Sequence, residues 1–126
     1  MKIKHKLIEM PKEIGRIRIF KHKGRICVVI EMLWMASLKV SPYCNGYVEV
    51  SAKNKGKNYD NFIDRIETDE LTFSGDLSRF NLGKKLWFFG FDSAHFWNDA
   101  QPESKTFKSV KARTSKLCEE MVKKGI

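Results

Sequence analysis

Leu86-Trp87-Phe88-Phe89-Gly90-Phe91-Asp92-Ser93-Ala94-His95 is the stretch that decides the reading of this chain. Five of its first six residues are large and apolar, and four of them are aromatic. An apolar run that stops at polar and small residues predicts a buried strand over 86–91. Alternation sends Trp87, Phe89 and Phe91 to one face and Leu86, Phe88 and Gly90 to the other. Both faces are apolar, so the strand belongs inside a sheet, with a helix over one side and room for a partner subunit on the other. Most of these rings read as core, with Phe91 at the strand end left for stacking on a ligand. Asp92 and His95 follow at the start of a loop. Phe91, Asp92 and His95 together suit a planar, polar ligand.

Upstream, Gly15 to His22 alternates basic and apolar residues, and Lys23-Gly24 is a turn signal. Arg25 to Met35 is an apolar run rich in β-branched residues, so the two segments predict a hairpin, although Glu31 to Leu38 also suits a helix. Ser41-Pro42-Tyr43-Cys44-Asn45-Gly46 reads as a turn, followed by a short strand Tyr47-Val48-Glu49-Val50. Residues 51–61 read as a mobile polar loop and a candidate lid. Short strands are expected over Phe62 to Ile66 and Leu71 to Phe73, around the acidic turn 67–70. Downstream, Phe107, Val110, Thr114, Leu117 and Met121 recur at spacings of three and four, which predicts an amphipathic helix with Ser104 as N-cap and Gly125 at its end. Arg113 and Lys111 flank its apolar seam. The fold class expected is α+β: one domain over residues 1–126, mostly an antiparallel sheet of five to seven strands (roughly), with the long C-terminal helix packed on it.

The net charge of +9 is unevenly placed. Residues 1–25 hold nine basic residues against two acids, and residues 104–126 hold seven against two. The middle of the chain is mildly acidic. If the two ends meet in space they form one anion-attracting surface, although a merely solubilising face is the simpler reading. No apolar run is long enough to span a membrane, and no signal-peptide pattern opens the chain. Cys27, Cys44 and Cys118 are far apart and lack zinc spacing; buried free thiols in a reducing cytoplasm are expected.

Asp92-x-x-His95 is the sharpest polar pair. It can fix an imidazole tautomer for acid–base chemistry, or hydrogen-bond a ribose or a base edge. It also fits a turn-capping aspartate beside a packed histidine. No metal ligand set, nucleophile elbow or phosphate-binding glycine loop accompanies it, so neither metal nor cofactor is expected.

Asn45-Gly46-Tyr47-Val48, Leu71-Thr72-Phe73-Ser74-Gly75 and Trp87 to His95, in this order before a C-terminal helix, resemble a family of small phage and prophage proteins. That family is taken to include the Thoeris anti-defence sponge proteins of the first described type. The resemblance covers about residues 44–124. It departs from the family pattern at the acidic Glu67 to Glu70 and at Ala94. It implies a protein that binds a cyclic ADP-ribose-type signal and sequesters it without cleavage, with cyclic oligonucleotides as a further ligand class. It also implies phosphate contacts from basic residues of the last helix, where Lys108, Lys111, Arg113 and Lys116 are available.

The expected ligand residues are therefore Phe91, Asp92, His95, Lys108, Lys111, Arg113 and Lys116. The expected partner is an anionic nucleotide small molecule, bound in the cytoplasm of an infected bacterium by a homo-oligomer, a dimer or a multiple of one. Two other readings stay open. One is an anti-CRISPR-like inhibitor that binds a protein or competes for nucleic acid; the other is a small hydrolase using Asp92 and His95.

Overall fold

The computed structural model describes residues 14–33, 43–80, 82, 85–93 and 101–126. Among them, five strands form one antiparallel sheet: β1 (Ile14–His22), β2 (Arg25–Met32), β3 (Tyr43–Glu49), β4 (Phe73–Gly75) and β5 (Phe88–Asp92), in the order β1-β2-β3-β5-β4. A single α-helix among these residues, α1 (Phe107–Lys123), packs on β2 and β3 and reaches β1. The chain is thus an α+β domain of the expected class. The β1–β2 hairpin turns where expected, with Lys23 and Gly24 both at positive φ (52° and 77°), which a tight two-residue turn requires.

β5 lies between β3 and β4 and is buried on both sides, as its composition predicts. On the helix side, Phe89 and Phe91 join Cys27, Val29 and Val48 beneath Val110, Leu117, Cys118 and Met121 of α1. On the opposite side, Phe88 joins Val28, Ile30, Tyr47 and Leu77, with Phe80, Leu82 and Leu86 packed against them.

Several local expectations are corrected. Residues 43–46 belong to β3 and do not form a turn. Gly46 is needed there because α1 crosses close above it: a Cβ would come within 2.7 Å of the Phe91 ring and would also strike the Thr114 hydroxyl. Residues 59–65 form a 3-10 turn instead of a strand. Asn58 accepts a hydrogen bond from the Asp60 N–H at 2.8 Å, and the buried residues Phe62 and Ile66 are spaced by four, not two. β4 begins two residues later than expected, although the Thr72 N–H already donates to the Gly90 carbonyl at 2.8 Å. The helix is capped by Thr106, whose hydroxyl accepts from the Ser109 N–H at 3.1 Å; Ser104 instead donates to the Gln101 carbonyl at 2.7 Å within the preceding 3-10 turn Pro102–Lys105.

The helix ends as expected at Gly125 (φ 71°). The Gly125 N–H donates to the Val122 carbonyl and the Ile126 N–H to the Met121 carbonyl, at 3.2 and 2.8 Å, which is the paired closure of a Schellman motif. The buried Ile126 carbonyl then accepts from the Ser51 N–H at 2.7 Å and from the Asn54 amide at 3.0 Å. Trp87 Nε1 donates to the Lys57 carbonyl at 2.8 Å. Segment 51–61 is therefore tied to the helix end and to the aromatic strand, which corrects its reading as a mobile lid.

Candidate functional site

The two basic ends of the chain do meet, as far as residues 14–25 and 104–126 are concerned. The Arg16 guanidinium lies 4.4 Å from the Phe107 ring centre, and the Lys111 ammonium 5.0 Å from that of Phe20. His22 and Glu119 share a 2.6 Å hydrogen bond, and the Cys118 thiol donates to the His22 carbonyl at 3.1 Å. Strand alternation explains the contact: Arg16, Arg18, Phe20 and His22 all point from β1 to the helix side. The result is a surface on which Arg16, Arg18 and Lys111 lie about two half-buried rings, Phe20 and Phe107.

At the N-terminal end of α1 this surface opens into a cleft of about 230 Å³. Its lining includes Arg16, Tyr43, Lys105 and Phe107, with Glu31 as the counter-charge. Glu31 accepts from the Arg16 backbone N–H at 3.2 Å and, loosely, from its side chain at 3.4 and 3.5 Å. Arg16 keeps most of its side chain in water, so an anionic ligand can draw it away from this acid at little cost. The volume is below the usual range for a whole small-molecule ligand, roughly 300–1,000 Å³. It matches one ring or one phosphate-bearing group, with the remainder lying across the open basic surface. A second hollow, of about 420 Å³, lies beside β4 between Phe73, Arg79 and Trp87. Among the described residues that line it, Arg79 is the one cation, against Asp76.

The residues expected to bind ligand are distributed differently. Phe91 is 1% exposed, and the Arg113 guanidinium covers its ring at 5.0 Å from the centre. A ring so enclosed packs the core and has no face to offer a base, which corrects its assignment as a stacking residue. Arg113 is held in a two-point ion pair with Asp69, at 2.6 and 3.0 Å, and also donates to the Ser104 carbonyl at 3.0 Å. Its role is to tie the helix to segment 67–70, so it is corrected from phosphate contact to structural anchor. Asp92 faces away from the helix, opposite Asn45 on β3, and accepts from the Thr72 hydroxyl at 3.1 Å. His95 lies outside the described residues. Lys108 and Lys116 are exposed, Lys111 is half-buried, and Lys111 reaches β1 at the Phe20 ring.

Beside the cleft the Ser93 hydroxyl is engaged and the Cys44 thiol is buried. Ser93 Oγ accepts from the Cys44 N–H at 3.0 Å and donates to the Cys44 carbonyl at 2.7 Å. Burial, followed by the nearby Glu31 charge, pushes the Cys44 thiol up to about 11, so it stays protonated at neutral pH. A hydrogen bond with Cys118, followed by burial, pushes the Cys27 thiol up as well. Among the described residues no three His, Cys, Asp or Glu side chains converge as metal ligands. No helix among them is long and apolar enough to cross a membrane.

Sequence reasoning missed Arg16, Tyr43, Lys105 and Phe107. The signal that could have found two of them was the paired basic ends, since Arg16 and Lys105 belong to those ends. In comparisons with protein-family models, curated proteins and solved structures, no match to this chain is found.

Proposed function

We propose that this chain is a phage-encoded anti-defence protein that captures an anionic nucleotide signal and withholds it from its receptor without cleaving it. The ligand class is a cyclic ADP-ribose variant or a cyclic oligonucleotide, in the cytoplasm of the infected cell. One observation carries the reading: the basic β1 and α1 segments converge around a cleft whose walls include Tyr43, Phe107 and the buried Lys105 and whose exposed cation is Arg16. The rings supply a stacking surface for a base, and the guanidinium a two-point grip on phosphate oxygens. The engaged Ser93 and the protonated Cys44 support capture over turnover. A binder working by mass action needs only a dissociation constant below the signal's working concentration.

The test is to mix the protein with cyclic ADP-ribose-type and cyclic oligonucleotide ligands, titrate by calorimetry, then denature the complex and identify what is released. Intact ligand is expected, and Arg16→Glu should weaken binding by about a hundredfold or more, the scale of losing a charge-assisted contact and gaining a repulsion. Chemically altered ligand would establish the hydrolase reading instead. Binding that ignores ligand identity and falls steeply with salt would establish the nucleic-acid reading, which the breadth of the basic surface favours.

A further inference from the structure

β1 is an outer strand of the sheet: it pairs with β2, and among the described residues no strand pairs with its other edge. Its outer half carries an unusual pattern. Ile17 and Ile19 are 42% and 52% exposed, on the face away from the helix. They stand opposite Ile30 and Val28 of β2, which are fully buried. The apolar row of the sheet therefore runs on to its rim and stays in contact with water there. Outer strands ordinarily protect such a rim with charge. Here most of the charge lies on the other face, where Arg16 and Arg18 alternate with the isoleucines, and only Lys21 follows Ile17 and Ile19 on theirs. Arg16 is engaged by Glu31 and Phe107, whereas Arg18 is exposed and has no ion pair among the described residues.

We propose that the β1 edge accepts an extended segment of a partner protein in which acidic residues alternate with β-branched apolar residues. A strand added to an edge sends its side chains alternately to the same two faces, and main-chain hydrogen bonds supply the attachment. Its residues on the helix side sit beside Arg16 and Arg18 and are matched by carboxylates. Those on the opposite side sit beside Ile17 and Ile19 and are matched by valine or isoleucine. A second copy of β1 fits poorly: in one register it brings its own arginines to the face that already holds two, and one residue away it sets them beside Ile17 and Ile19. Like charges placed across neighbouring strands are destabilising.

The experiment uses a fluorescent, end-capped peptide of alternating glutamate and valine, read by anisotropy and by amide hydrogen exchange. Saturable binding is expected, with slowed exchange confined to residues 14–22. Arg18→Glu should weaken it by about tenfold, the scale of exchanging one attractive cross-strand pair for a repulsive one. Ile19→Lys should weaken it similarly while the melting temperature holds, since the side chain is half in water; Ile17→Lys is the second variant should that one fail to fold. Equal binding of a lysine–valine peptide would overturn the proposal. So would slowed exchange at any other strand, or a dimer in sedimentation velocity that Ile19→Lys dissolves. No nucleotide enters the assay, so its outcome is independent of the capture reading.

Discussion

Removing Asp69 distinguishes an anchor from a ligand contact at Arg113. The pair is bidentate, with Arg113 side-chain exposure of 20% and Asp69 exposure of 8%. Removing one partner of a fully buried pair costs about 3–5 kcal/mol, because the other charge is left without compensation. Water reaches part of the guanidinium, and the Ser104 carbonyl still accepts one of its hydrogen bonds, so about 2–3 kcal/mol is the better expectation for Asp69→Asn. In a domain of this size that lowers Tm by about 6–15 °C. Arg113→Glu should cost more, since it sets two carboxylates against each other over the Phe91 ring. Asp69→Ala and Arg113→Met, made singly and together, complete a cycle in which the double variant should lose less stability than the two singles combined. Thermal melts and urea titrations read it. If Arg113→Glu melts like the parent protein and loses only its nucleotide ligand, the anchor assignment is wrong and the helix carries the phosphate contact after all.

Three further outcomes follow from the same packing. Phe91→Ala should lose about 3–5 kcal/mol in urea unfolding, as Phe89→Ala should, because both rings are fully enclosed; a soluble variant with normal stability and no ligand binding would return Phe91 to the site. Gly46→Ala should destabilise by about 1–3 kcal/mol, since the added methyl must push α1 off β3, and an unchanged Tm would show that the close approach is not rigid. For Glu120, burial acts to raise the carboxyl. Hydrogen bonds from Lys124, from the Thr68 hydroxyl and from the Glu67 and Thr68 N–H groups outweigh burial and hold the carboxyl down to about 2. A depressed folded value means that stability is present above the ordinary 4.5 and is lost as pH falls towards 2, so Glu120→Gln should be destabilised at neutral pH and approach the parent protein in acid melts. A difference that stays constant across that range would contradict the assignment.

What the sequence reveals here divides along a physical line. Periodicity reports which face of an element is buried, and it reports it well for the two faces of β5 and the seam of α1. It misleads in β1, where Phe20 shares the helix side with Arg16 and Arg18 while Ile17 and Ile19 stay exposed on the other. Turn chemistry is legible where φ must be positive, as at Lys23-Gly24 and Gly125. It misleads where glycine serves another purpose. Gly46 reads as a turn residue beside Asn45, yet its use is to let a helix 60 and more residues downstream pass close overhead, a demand set by tertiary packing. Polar segment 51–61 misleads for a related reason. Its composition is that of a loop, but Trp87 and the Ile126 carbonyl fix it through partners that no local pattern names.

The candidate site was legible only as charge. Counting lysines and arginines at the two ends implies that if β1 and α1 meet, an anion-attracting surface results. The count cannot say which cations are spent on holding the fold. Asp69 lies 44 residues from Arg113 and engages its guanidinium, while Arg16 keeps a mostly exposed guanidinium over an aromatic ring. The two arginines look alike in sequence, each beside an apolar seam. They differ in what faces them: a buried carboxylate with two-point geometry for one, a loosely held Glu31 at the mouth of a cleft for the other. A cation can serve a ligand only to the extent that its existing partner is weaker than the ligand's phosphate. By that criterion Arg16 suits the proposed ligand better than Arg113 does, and the N-terminal end of α1 suits it better than the middle.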